Sequence, residues 1–245
     1  MQKYFKAFET GFYCWIISGI AKNAFVLIDI KEIEKRLKRF KVDDKKMFIT
    51  SSFQTHSIPL LHLLSQINPT VPVYFINTGF HFPETISYKD VVAGLLGLKV
   101  INLYPNTPKN LQTDACGNLM FTFDPDYCCY LNKVQPIEAL LDIYDVWING
   151  VRADQSQHRH QLSTIEQTNN GTIRYHPLLY VTHNEIYDYI MRHNLPEHPL
   201  EARGYKSIGC EPCTRPAEKL NHRDSRWVGL NKTECGLNTE FLKKK

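Results

Sequence analysis

Residues 45–67 read KKMFITSSFQTHSIPLLHLLSQI, and their reading decides the fold. Met47-Phe48-Ile49-Thr50 is a short apolar run, the pattern of a strand buried on both faces. Ser51 and Ser52 break it with a hydroxyl-bearing turn. A helix is predicted next, over 57–67, with Pro59 tolerated because the first helical turn has no use for its missing N–H.

The same alternation recurs downstream. VPVYFINTG (71–79), KVINLYP (99–105) and YDVWINGVR (144–152) read as further strands. Between them, ETISYKDVVAGLLGL (84–98) and VQPIEALL (134–141) read as helices. Upstream, IKEIEKRLKRF (30–40) places Ile30, Ile33, Leu37 and Phe40 at helical spacing. Short apolar strands alternating with helices predict an α/β fold, a mostly parallel sheet with helices on both faces. Ligands of such sheets sit at the carboxyl ends of the strands, so the turns after each strand are the places to inspect. Beyond residue 170 the pattern changes. Thr182 and Glu185 have the spacing of a capping box, and 195–219 is a Pro- and Gly-rich stretch of the kind that holds a site.

The chain has 245 residues and a net charge of +4, which suits one domain of ordinary size and an anionic small substrate rather than nucleic acid. No stretch of about 20 apolar residues lacks charge, and no signal-peptide pattern is visible, so the expectation is a cytoplasmic protein without a membrane span. In that compartment the seven cysteines point to metal or redox chemistry rather than disulfides.

Cys128 and Cys129 are adjacent, and Cys210 and Cys213 form a C-x-x-C beside Gly209 and Pro212. Four thiolates can hold zinc or an iron–sulfur cluster; the alternative is two buried thiols and a redox pair. Ser51 and Ser52 lead into a helix N-terminus, the setting of a phosphate site or of an ordinary N-cap. Arg152 and Arg159 follow the last predicted strand and can pair an anion with two N–H donors. Arg223 and Arg226, three residues apart, can share one side of a turn. Cys235 lies in the polar tail GLNKTECGLNTEFLKKK, where a core thiol has no place.

Taken in order, SSFQTHSIPLLHLL, INTGFHFPET, CCYLNKVQPI, INGVRADQSQHR, GCEPCTRP, HRDSRW and KTECGL resemble the assimilatory adenylyl-sulfate / phosphoadenylyl-sulfate reductase family, over residues 45–238. The resemblance implies a Rossmann-like adenine nucleotide alpha-hydrolase fold. It implies an N-terminal helical segment (1–44) outside the match, an α/β domain with the cluster site (45–220) and a mobile tail (221–245). It makes Cys235 the nucleophile that takes the sulfo group from the nucleotide and yields sulfite when thioredoxin or glutaredoxin attacks the S-sulfocysteine. The four cysteines match the ligands of a [4Fe–4S] cluster, which points to adenylyl sulfate over its 3′-phosphorylated form. Lys133, Arg152, Arg223 and Arg226 match substrate-binding positions, as do Ser51 and Ser52 and, in the second turn, Thr78 and Gly79. The family also implies a homo-oligomer. Gln54, Asn77, Asn132 and Asn238 depart from the family's usual Gly, Asp, basic residue and His. The reading from another class is a nucleotide-binding module with structural zinc.

Overall fold

The computed structural model describes residues 28–217, 225–230, 232–239 and 241. The first 27 residues, Cys14 among them, and Arg223 lie outside that range.

Six strands form one sheet: β1 (Met47–Thr50), β2 (Val73–Ile76), β3 (Val100–Leu103), β4 (Val146–Asn149), β5 (Ile165–Gln167) and β6 (Ile173–Tyr175). Their order is β3-β2-β1-β4-β6-β5. All neighbours are parallel except the edge pair β5–β6. The helices are α1 (Ile30–Val42), α2 (Ile58–Ile67), α3 (Pro83–Leu96), α4 (Pro125–Cys129), α5 (Gln135–Leu141), α6 (Gln157–His160) and α7 (His183–Arg192).

The two-residue period of the strands sorts their side chains onto two faces. Met47, Ile49, Val73, Phe75, Val146 and Ile148 face the core built with α1, α2, α3 and α7. Phe48, Tyr74 and Trp147 face the opposite side, against Val134, Ile137, Leu140 and Leu141. The predicted two-sided parallel sheet is therefore present. Strands β5 and β6 carry no such signal in the sequence. Each is three residues long, with Glu166 and Arg174 at their centres.

Local chemistry sets the boundaries of the helices. Asp29 caps α1 by accepting from the Glu32 N–H at 2.9 Å. Gly97, at φ +61°, closes α3 in the left-handed conformation. The Thr182–Glu185 capping box opens α7 as predicted. Between α4 and α5 the backbone widens into a π-helical turn, Tyr130–Val134. Pro136 explains it: with no N–H, its ring cannot follow Asn132 in an ordinary α-helical register, and one wider turn relieves the clash.

The 195–200 segment is fastened to the first strand–helix turn. The His198 N–H donates to Thr55 Oγ1 at 2.9 Å. On the ring, Nδ1 accepts from the Leu200 N–H (3.2 Å), so Nε2 carries the proton toward Thr85 Oγ1 (3.0 Å). His198 is thereby locked as the neutral tautomer, and burial lowers it to about 4. A histidine of depressed folded pKa is protonated first in the unfolded chain. Stability is then fully present above about 6.5 and is lost as pH falls toward 4. We expect the urea midpoint to drop between pH 7.5 and pH 5. In His198→Asn, which keeps an acceptor for Leu200 but cannot titrate, the drop should be smaller.

Candidate active site

The strand order reverses between β1 and β4. The crevice past their carboxyl ends is where an open α/β sheet binds ligand. A cavity of about 510 Å³ opens there, a volume suited to a nucleotide. Ser51 and Ser52 line it from the end of β1, and Asn149, Gly150 and Arg152 from the end of β4. Phe53 holds the first turn at φ +53°, an uncommon conformation for a bulky residue, with its ring buried against Phe75. Gln54 is extended, so no glycine is required at this position. Its Oε1 accepts from the Ile208 N–H (2.9 Å) and ties the turn to the loop before Cys210.

Cations dominate the walls. Lys133, Arg152, Arg159, Arg174, Lys206 and Arg226 line the cavity; among the described residues Asp154 is the one carboxylate that does. Arg152 is buried, with Nε on Asp154 Oδ1 at 3.1 Å and Nη1 lacking a hydrogen-bond partner among the described residues. Arg174 comes from the centre of β6. Its guanidinium lies over Trp147 at 4.5 Å, and Nη2 donates to Asn238 Oδ1 at 2.7 Å. Its Nε and Nη1 have no partner among the described residues, and burial lowers it to about 10. Arg226 stacks on Trp227 at 4.5 Å, with Nε on the Cys213 carbonyl at 3.2 Å. These donors, aimed into a partly dry cavity, suit an anion with several oxygens.

The cysteines meet on one wall. Cys128 and Cys210 are buried with Phe80, against Leu119, Met120, Phe121 and Cys213. The turn after β2 supports that loop. Glu211 N–H donates to the Phe80 carbonyl at 2.7 Å, and Thr78 Oγ1 lies 3.4 Å from Cys210 Sγ. Asn77 Oδ1 accepts from the Gly79 N–H at 3.2 Å, as an aspartate would. Asn132 is buried in a reciprocal amide pair with Gln112, and its Nδ2 also donates to the Cys128 carbonyl at 2.9 Å. Burial raises the Cys128 thiol to about 11, and it raises Cys213 as well.

Cys129 turns the other way and meets Cys235, which opens the short helical turn Gly236–Asn238. The Cys129 thiol donates to the Cys235 sulfur, and that bond raises Cys129 while it holds Cys235 well below the usual thiol range. Lys133 and Arg226 lower Cys235 further, against the opposing effect of burial. Burial alone would depress Lys133; its attraction to the surrounding cysteine sulfurs outweighs that and holds the ammonium raised. A thiol of lowered pKa beside an ammonium is the setting of a nucleophilic cysteine.

Among the described residues no three Cys, His, Asp or Glu side chains stand as a ready metal site. Thiol chemistry suits an iron–sulfur cluster, and three of the four candidate ligands, Cys128, Cys210 and Cys213, share one apolar wall; Cys129, next to Cys128 on the same helical turn, faces Cys235 here.

The phosphoadenosine phosphosulfate reductase domain matches residues 46–216. The chain belongs to that family. It is 38% identical over 197 residues to the phosphoadenosine 5′-phosphosulfate reductase of Gloeobacter violaceus, covering 78% of this chain and 82% of that one. It is 37% identical over 204 residues to the adenosine 5′-phosphosulfate reductase of Bacillus cytotoxicus, covering 82% and 87%. The fold is that of phosphoadenylyl-sulfate reductase from Candida auris, with a TM-score of 0.60 at 24% identity, over 76% of this chain and 96% of that one. Candida glabrata FMN adenylyltransferase shares it at a TM-score of 0.58 and 15% identity, over 77% and 63%.

Of the residues that resemble this reductase family's site, the structure brings Ser51, Ser52, Lys133, Arg152, Arg226, Cys210 and Cys235 to one cavity. Thr78 and Gly79 lie in the turn after β2, outside the lining of this cavity. Thr78 is buried against Cys210, and Gly79, at φ +73°, lets the chain turn beside Lys109. Cys116 is exposed and apart. Sequence reasoning missed Asn149, Arg174 and Glu234. Glu234 had a signal, its place beside Cys235; Arg174 had none. Gly209 has a second role, because a side chain there would collide with the Arg226 guanidinium. We expect Gly209→Ala to push Arg226 off Trp227 and to weaken AMP binding about tenfold by calorimetry, the cost of one charge-assisted hydrogen bond.

Proposed function

We propose that the chain is a thioredoxin-dependent adenylyl-sulfate reductase of sulfate assimilation, working in the cytoplasm as a homo-oligomer. The observation that carries this reading is the place of Cys235, in the lining of one cationic cavity with Lys133, Arg152 and Arg226.

The Cys235 thiolate attacks the sulfur of the sulfo group. An S–S bond forms, the S–O bond to phosphate breaks, and AMP leaves with the bonding pair on its phosphate oxygen. Lys133, Arg152 and Arg226, with Arg223, neutralise the sulfo oxygens and the phosphate charge that grows on the leaving group. Ser51 and Ser52 bind at the end of β1, where backbone N–H groups favour an anion. The tail then carries S-sulfocysteine 235 out to solvent. A thiolate of thioredoxin or glutaredoxin attacks the Cys235 sulfur, sulfite departs with the electron pair, and the reductant's second thiol resolves the mixed disulfide. The dithiol is oxidised by two electrons, and the sulfo sulfur leaves reduced as sulfite.

Cys128, Cys129, Cys210 and Cys213 would hold a [4Fe–4S] cluster. When bound, it supplies an iron–thiolate charge centre that anchors the Cys210–Cys213 loop and acts on Lys133. The ligands must shed their protons on binding, so cluster assembly is pH-dependent.

Cys235→Ser is expected to lose sulfite release from adenylyl sulfate by more than about a thousandfold with AMP binding retained. Normal sulfite production by this variant would sink the assignment. The purified protein should carry equal iron and acid-labile sulfide, and Cys128→Ser should lose both. Parallel assays with the 3′-phosphorylated nucleotide decide the substrate, since a clear preference for it would reverse the reading.

A further inference from the structure

The segment that carries Cys235 is docked by a single buried carboxylate. Glu234 Oε1 accepts from Arg159 Nη2 (2.8 Å), from the Cys235 N–H (2.9 Å) and from Asn238 Nδ2 (3.0 Å). Its Oε2 accepts from Arg159 Nε (2.9 Å) and Ser156 Oγ (3.0 Å). Both side chains of the Arg159–Glu234 pair are at most 10% exposed. The chain of contacts continues through Asn238, whose Oδ1 accepts from Arg174 Nη2 and whose backbone N–H donates to the Cys235 carbonyl at 2.9 Å. Two arginines from separate elements, α6 and β6, thus grip the residues on either side of the nucleophile.

This arrangement has a chemical logic. Cys235 sits in a field of cations, and the arginines that create it would also draw in any passing anion. Glu234 satisfies one of them, Arg159, internally. It spends that charge on fixing the backbone of the adjacent residue, so the Cys235 sulfur is presented at one place in the cavity. Asn238 stands where the family has a histidine, and its amide serves both directions, accepting from Arg174 and donating to Glu234.

We propose that Glu234 is the positioning residue of the nucleophile, and that the Arg159–Glu234–Asn238–Arg174 clasp docks the Cys235 segment in the nucleotide cavity. The inference rests on Cys235 being the nucleophile. The test uses the full-length chain, wild type, Glu234→Gln and Asn238→Ala. Hydrogen–deuterium exchange of the 232–241 peptide reads docking without reference to catalysis. Mass spectrometry of the sulfo adduct on Cys235, formed from adenylyl sulfate without reductant, reads positioning.

The tail amides of Glu234→Gln should exchange at least about tenfold faster than in the wild type, with Asn238→Ala between the two. Single-turnover adduct formation at saturating nucleotide should fall at least about tenfold while the nucleotide's half-saturation changes less than about threefold. Release of sulfite from preformed adduct by a small thiol should not change. Wild-type exchange in both variants overturns the clasp. So does a loss spread over the whole chain with AMP binding lost alongside, which marks a merely structural role. If the wild type forms no adduct on Cys235, the nucleophile reading fails, and the exchange comparison alone decides whether the clasp exists.

Discussion

The parallel pairing of β1 with β4 sets where the rest of the site can be. Their register runs from Met47–Val146 to Thr50–Asn149, so both strands end at the same level. The chain leaves them in opposite directions across the sheet, toward β2 on one side and β6 on the other. The backbone groups past Thr50 and Asn149 therefore flank one crevice, and side chains from distant segments can converge on it. Shifting this pair by one residue would turn Phe48 and Trp147 into the opposite core and close the crevice with the wrong side chains.

Such a crevice concentrates positive charge, and repulsion among buried cations has to be offset. Five of these cations are offset in three ways. Arg159 has Glu234, Arg152 has Asp154, and Arg174 and Arg226 lie on the faces of Trp147 and Trp227. An indole face attracts a guanidinium without occupying its in-plane donors, so the N–H groups stay available to a ligand. Among the described residues Lys133 has no carboxylate of this kind; the cysteine sulfurs around it offset the cost of its burial. Pairing every cation with a carboxylate would leave no field for an anionic substrate. Pairing none would destabilise the fold.

Much of this was legible in the residues. The strand-to-helix alternation follows from apolar runs of four residues, and the structure has all four of the strands they predict. β5 and β6 were not legible, because three-residue strands with Glu166 and Arg174 at their centres have neither alternation nor an apolar run. The Cys pair, the C-x-x-C and Cys235 stood out by residue type. Their mutual placement did not, because the π-helical turn that follows the Cys pair depends on Pro136 and on packing of Asn132 against Gln112. Thr78 read as a substrate contact through the family resemblance, and the structure adds that its turn braces Cys210.

The Cys235 segment does not end as a loose chain. Phe241 is buried on the sheet face opposite α1, edge-on to Trp147 at 5.5 Å, and its carbonyl accepts from the Asn169 N–H at 3.1 Å. Six peptide units separate this anchor from the thiol, a reach of about 20 Å when extended. With Phe241 seated, the nucleophile travels on a closed loop rather than on a free end. Its return to the cavity is an intramolecular search over a short tether. The effective concentration of the thiol at the nucleotide is then set by Phe241, a residue that touches no chemistry.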